Sequence, residues 1–304
     1  MEKLMKKTWI GLTTYFLAGS ICFAGHHVTY APAQPDLVHD GMFVGLNANL
    51  NSLNLTQNSY GLGISNIRTN TGANSNGIAD GNGAPFNNTA NTLAPGLQFG
   101  FIKHYKDTPN LYGIKFTYQY LGSTATNPNL YIPQIGHTTS AVTGLTSPLY
   151  GYVNGDSIQV TTNHQLSLLA FVGRSFGNGS FYIGAGPGLV NMKSKNYYSI
   201  GYAVVDGATV NVTGLVGYST PSIWAWAGTA QIGANYFFSP SWFVDLAYTY
   251  TVTGTHTVNH EQGFANSSEI GGISYTTSGT IVTKTSLSER NQTVTFSINK
   301  LFDF

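Results

Sequence analysis

Charge is what this sequence has least of. Only 8% of its residues are Asp, Glu, Lys or Arg, against about a quarter in an average soluble domain. The net charge of +1 leaves no basic field for nucleic acid and no acidic one for cationic partners. Cysteine is nearly absent: the single Cys22 sits near the N-terminus, so the rest of the chain has no disulfide to staple it. Past residue 24 no stretch of about 18 apolar residues occurs, which excludes a membrane-spanning helix there. What is plentiful is glycine, 36 residues in 304, and aromatic side chains, 13% of the chain.

The one long apolar run has its own explanation. Lys3, Lys6 and Lys7 make a basic start, Trp9 to Phe23 an apolar stretch, and Cys22-Phe23-Ala24 a small-residue exit. That is the pattern of an export signal cut after Ala24. Ile21 stands where a lipoprotein signal has a small residue. The expected organisation is a signal peptide over 1–24, a polar lead-in over 25–40, and one β domain over 41–304.

Wherever a period exists in that domain, it is two. Met42, Val44, Leu46, Ala48 and Leu50 alternate with Phe43, Gly45, Asn47 and Asn49; Tyr112, Ile114, Phe116, Tyr118 and Tyr120 alternate with Gly113, Lys115, Thr117 and Gln119. Six further runs behave alike, near 93–101, 164–174, 181–191, 224–236, 242–250 and 293–304. The connections between them alternate as well: 51–92 long, 104–110 short, 122–163 long, 175–180 short, 192–223 long, 237–241 short and 253–293 long. A soluble sandwich has no reason to alternate this way, whereas a membrane barrel shuttles between two compartments with tight turns on one side. Each run is about 9 to 11 residues, the length a tilted strand needs to cross hydrocarbon.

The expected fold is therefore all-β: a closed antiparallel transmembrane β-barrel of eight strands, with four long extracellular loops and three short periplasmic turns. Lipid offers no partner for a free backbone group, so the last strand must pair with the first. The apolar face points into lipid, and Lys300, which breaks it, lies near a strand end where it can snorkel. Trp242, Tyr112, Tyr236, Phe302 and Phe304 fall at one end of the strands, and Trp224, Trp226, Tyr120 and Tyr250 at the other, as two interfacial girdles do.

FYIGAGPG, the strand-turn-strand IGANYFFSPSWFVDLAYTY and the alternating end TVTFSINKLFDF resemble the small eight-stranded outer-membrane barrels, the OmpA, OmpX and Opa-like class of Gram-negative surface proteins. The resemblance implies location in the cell outer membrane, contact with its lipid and lipopolysaccharide, and a terminal strand read by the barrel-assembly machinery through Phe296, Ile298, Phe302 and Phe304. It leaves the four long connections unexplained.

No catalytic, cofactor or metal site is expected. His256, His260 and Glu261 have a spacing that converges on a helix but not on a strand. His26, His27 and His39 belong to the lead-in, and His164 has no acid at a triad spacing. GxGxG within FYIGAGPG alternates as a strand and opens no helix, so it is not a dinucleotide loop. Parity points Lys115 and Asp245 into the barrel at matching heights, which suggests a buried pair with Gln98, Asn235 and Asn299 as hydrogen-bond partners. The long connections are rich in Asn, Thr, Ser and Gly around Tyr131, Tyr150, Tyr152, Tyr197, Tyr198, Tyr202 and Tyr218, a composition suited to adaptable protein contact. These segments are either contact loops or extensions of the strands above the membrane. The expected function is a monomeric surface barrel with a structural or adhesive role toward a host or cell-surface ligand. The alternative is a narrow channel or a binder of one small hydrophobic or polar molecule.

Overall fold

The computed structural model describes residues 39–106, 108–205 and 208–302. The signal peptide, nearly all of the lead-in and Phe304 lie outside the described residues. The elements are β1 (Gly41–Thr69), β2 (Asn74–Asn82), β3 (Phe86–His104), β4 (Asn110–Ser140), β5 (Thr146–Phe176), β6 (Gly179–Val205), β7 (Ala208–Asn211), β8 (Val216–Ser219), β9 (Ile223–Ser239), β10 (Trp242–Thr253), β11 (His256–Ile270) and β12 (Ile273–Phe302). Every pairing among them is antiparallel.

Eight of these strands form a ring in the order β1, β3, β4, β5, β6, β9, β10, β12. It closes where Met42 faces Phe302, and the β1–β12 ladder runs unbroken from there to Thr69 and Tyr275. Alternation decides which face looks out. Leu46, Leu97, Ile114, Val172, Ile183, Ile232, Leu246 and Ile298 are exposed, while Asn49, Gln98, Gln165, Gln231, Thr249 and Asn299 are buried. Water cannot cover such a belt, and lipid can: the barrel is inside-out, with a transmembrane band bounded by Tyr112, Tyr236, Trp242 and Phe302 at one edge and Tyr120, Trp224, Trp226 and Tyr250 at the other. Lys300 holds its Nζ 5.6 Å from the Trp242 ring and 5.5 Å from that of Phe302, at the band's edge.

At the near end the connections are tight. Gly177 turns β5 into β6 at φ 54°, a left-handed value that favours glycine. At the far end the long connections are strand for most of their length: β1, β4, β5 and β12 run 29, 31, 31 and 30 residues, about three times what hydrocarbon requires. β2 folds back on β1 and continues onto β4, β11 folds back on β12, and β7 and β8 add to β6. The barrel thus continues well beyond the band. Among the described residues no ladder joins β11 to β7 or β8, so the extension has a seam there.

Candidate functional site

Inside the ring, side chains stack in layers from the tight-turn end upward. The lowest layer is apolar: Phe43, Ile102, Leu111, Phe171, Phe237, Phe243 and Leu301 pack together, with His39 stacked on Phe237 at 3.8 Å. Above it lie the charges. Lys115 on β4 and Asp245 on β10 are 3% and 1% exposed, and Lys115 Nζ stands 3.1 Å from Asp245 Oδ2. Tyr182 of β6 completes the cluster: it accepts from Lys115 Nζ at 2.7 Å and donates to Asp245 Oδ1 at 2.8 Å. A tyrosine fits there because it leans over Gly233, where any Cβ would strike its ring. Gln98 donates to Asn299 Oδ1 at 2.6 Å and Ser297 Oγ at 2.8 Å, with Asp245 Oδ2 at 3.5 Å. Asn235 faces Asp245 across the β9–β10 ladder, but its Oδ1 has no protein partner.

The next layers are polar and uncharged. Gln231 donates to Thr249, Gln165 to Thr251, and Asn291 to both Gln165 and Asn51. One layer past the upper aromatic row, where Tyr250 faces Gln292, sits Glu289. It is 2% exposed; Thr162 donates to Oε2 at 2.6 Å, and Oε1 has no partner. Leu55, Ala125, Val160 and Leu287 pack at this level, and burial pushes the Glu289 carboxyl up to about 7. Leu130, Ile132, Val153 and Ile158, from the neighbouring strands β4 and β5, pack together above it. With these inward side chains buried layer upon layer, the interior is a filled core rather than an open lumen.

The seven tyrosines expected in loops lie on strands. Tyr131, Tyr152 and Tyr202 stand side by side on the outer wall of β4, β5 and β6, with ring centroids 5.3 and 5.0 Å apart. Ladder rows place Pro133 beside Tyr152 and Tyr202, and Ile135 beside Tyr150 and Val204. Ile135, Tyr150 and Tyr131 are 66%, 56% and 53% exposed. The rows begin about 25 Å beyond Tyr120 for a tilted strand. The opposite wall differs: β11 turns Thr257, Asn259, Glu261, Ser267 and Glu269 outward. Tyr198 is exposed, whereas Tyr197 is half-buried, donating to Gln159 Oε1 at 2.8 Å under Lys195. Tyr218 is not a surface contact: it stacks on His260 at 4.1 Å inside the seam, and burial raises its phenol above the usual range. His260 is thereby committed to a ring stack, and among the described residues no three His, Cys, Asp or Glu side chains cluster as metal ligands would. His164 sits at the upper aromatic row with Nδ1 3.0 Å from Tyr118 OH.

No family model matches the chain, and no curated protein does. Among solved structures, the attachment invasion locus protein Ail of Yersinia pestis is 11% identical, covering 77% of this chain and 97% of its own, at a TM-score of 0.25. Neisserial surface protein A is 8% identical over 82% and 97%, at 0.26, and the outer membrane protease OmpT of Escherichia coli 9% over 85% and 97%, at 0.28. At such TM-scores the likeness carries no functional weight.

Proposed function

We propose that this chain is a surface barrel of the cell outer membrane, its long end outside the cell, with an adhesive role carried by the aromatic wall of β4, β5 and β6. The observation behind this reading is the Tyr131, Tyr152 and Tyr202 strip with Pro133, Ile135 and Tyr150 beside it. It stands far above the lipid band, where exposed Ile135, Tyr150 and Tyr131 have no lipid to cover them, and clustered exposed aromatics of this kind suit an interaction site. Lipid and lipopolysaccharide surround the band, and the assembly machinery reads Phe296, Ile298, Phe302 and Phe304. The barrel works as a monomer. The reading is non-enzymatic, since Lys115, Asp245 and Glu289 are buried in the filled interior, out of a substrate's reach.

The test compares cells exporting the chain with cells exporting Tyr131→Ser/Tyr152→Ser/Tyr202→Ser, at matched surface amounts. Attachment to epithelial monolayers and settling of cell suspensions are read together. The variant is expected to lose at least one of the two. A parent that does neither, or a variant equal to its parent in both, would defeat the adhesive role.

A further inference from the structure

The outer face of the belt is not uniform around the ring. At its tight-turn edge two outward rows of side chains, crossing β4, β5, β6 and β9, wall a trough of about 650 Å³ that opens toward lipid; small-molecule sites span about 300–1,000 Å³. The lower wall is Tyr105, Asn110, Arg174 and Phe181, held in one row by the Tyr105 N–H on Asn110 O and by the β4–β5 and β5–β6 ladders. The upper wall is the next outward row, Tyr112, Val172, Ile183 and Ile232. These rows slant through the band. Tyr112 stands at the band's edge, whereas Ile232 lies four residues along β9 from the edge residue Tyr236, about 9 Å deeper in hydrocarbon for a tilted strand. One end of the trough is therefore level with lipid head groups and the other with acyl chains.

The chemistry of the walls follows the slant. Val172, Phe181, Ile183 and Ile232 are each more than half exposed, an apolar surface for a chain to lie on. Among the described residues that line the trough, Arg174 carries the one charge, at the head-group end. It is exposed, and among the described residues its guanidinium has neither an ion pair nor a hydrogen bond. A guanidinium presents a planar fork of N–H donors that matches a phosphate with two parallel bonds. A zwitterionic head group would bring an ammonium as well, and the lining offers that ammonium no carboxylate. Charge complementarity thus selects a head group of net negative charge.

We infer that this trough binds one anionic phospholipid of the leaflet on the tight-turn side, its phosphate held by the Arg174 guanidinium and one acyl chain lying along Val172, Ile183 and Ile232. The inference rests on the lipid-covered belt and goes beyond the adhesive reading, so it stands or falls apart from adhesion.

The test uses the full barrel with ¹³C-labelled isoleucine methyls in phosphatidylcholine nanodiscs, where phosphatidylglycerol replaces a rising fraction of the lipid. Ile183 and Ile232 report the trough, and Ile298 on β12 reports the belt at large. The expected result is a shift of Ile183 and Ile232 that saturates at a low phosphatidylglycerol fraction while Ile298 stays in place. Arg174→Gln should need about tenfold more phosphatidylglycerol, the worth of one charge-assisted hydrogen bond. Lys300→Gln removes a cation at the band's edge outside the trough and should titrate like the parent. Phosphatidylethanolamine in place of phosphatidylglycerol should give no saturable shift. An Ile298 methyl at its parental position certifies the fold of each variant, and Arg174→Leu replaces Arg174→Gln if that variant misfolds. Shifts that grow with phosphatidylglycerol without saturating, and that Ile298 shares, would overturn the site. Equal titration of Arg174→Gln and its parent, or an equal loss in Lys300→Gln, would overturn the role of the guanidinium. Saturation by phosphatidylethanolamine at the same fraction would overturn the choice of a negative head group.

Discussion

Lys115 and Asp245 are tied by more than their mutual attraction, because the Tyr182 hydroxyl bridges them and both sit in a layer sealed from below by aromatic packing. Removing one partner leaves a buried charge, at a cost of roughly 3–5 kcal/mol, while removing both leaves none. In a double-mutant cycle of unfolding in detergent, Lys115→Met and Asp245→Leu alone should each lower stability more than the two together; coupling near zero would mean that water solvates each charge separately. Glu289 gives the pH dependence. Its folded value of about 7 lies above the ordinary 4.5, so between these values the folded state holds a proton that the unfolded chain has released. Stability therefore falls as pH rises from about 4.5 to 7, by about 3 kcal/mol in total. Glu289→Gln should abolish that fall, unfolding at higher denaturant than the parent at pH 8 and much like it at pH 4. A parent midpoint that is flat over this window would contradict a buried acid with one bare oxygen. Parity alone brings Lys115 and Asp245 to one height, since each stands a few residues above a tight turn. Tyr182 shares the parity of the inward Gly184 and Gly186, yet an aromatic at the start of a run reads equally well as a girdle residue. Glu289 shares the parity of Asn291 and Thr293 but lies past the end of the apolar run that makes parity visible.

Strands are legible from sequence only where their two faces differ. In the band nearly all outward positions are apolar, and above the lowest, apolar layer most inward ones are polar or small, so eight segments stand out. In β11 the outward Asn259 and Glu261 alternate with His260 and Gln262, and with no contrast between faces a strand looks like a loop. The extension was thus open to two readings, and backbone pairing across β1, β2, β4 and β12 decides between them. Tyr218 was misplaced for the same reason, its seam being a product of where ladders stop. At the element scale the terminal part of β12 separates assembly from stability. Phe302 is half exposed at the band's edge, facing Met42, where a charge on the lipid side costs at most about 1 kcal/mol. Phe302→Asp should nonetheless reduce outer-membrane yield several-fold while the refolded protein unfolds near the parent midpoint. Equal yields would contradict the proposal that this strand is an assembly signal; equal losses of yield and stability would make it a packing residue only.

Over the whole molecule, a closed ring of eight strands and an apolar belt follow from one rule, that within lipid each backbone group must be bonded and each apolar face covered. The belt, the tight-turn end and the long end should therefore lie in three different surroundings. Cys22 is the chain's only cysteine and falls within the expected signal, so single cysteines can be placed without background. Ile135→Cys on the outer wall, Asn178→Cys in the β5–β6 turn and Leu46→Cys in the belt report the three places. A charged, membrane-impermeant maleimide is added to intact cells and then to lysed ones. Ile135→Cys should label in intact cells, Asn178→Cys only after lysis, and Leu46→Cys in neither until the barrel is unfolded. Labelling of Asn178→Cys but not Ile135→Cys in intact cells would invert the barrel, and labelling of folded Leu46→Cys would contradict a belt covered by lipid.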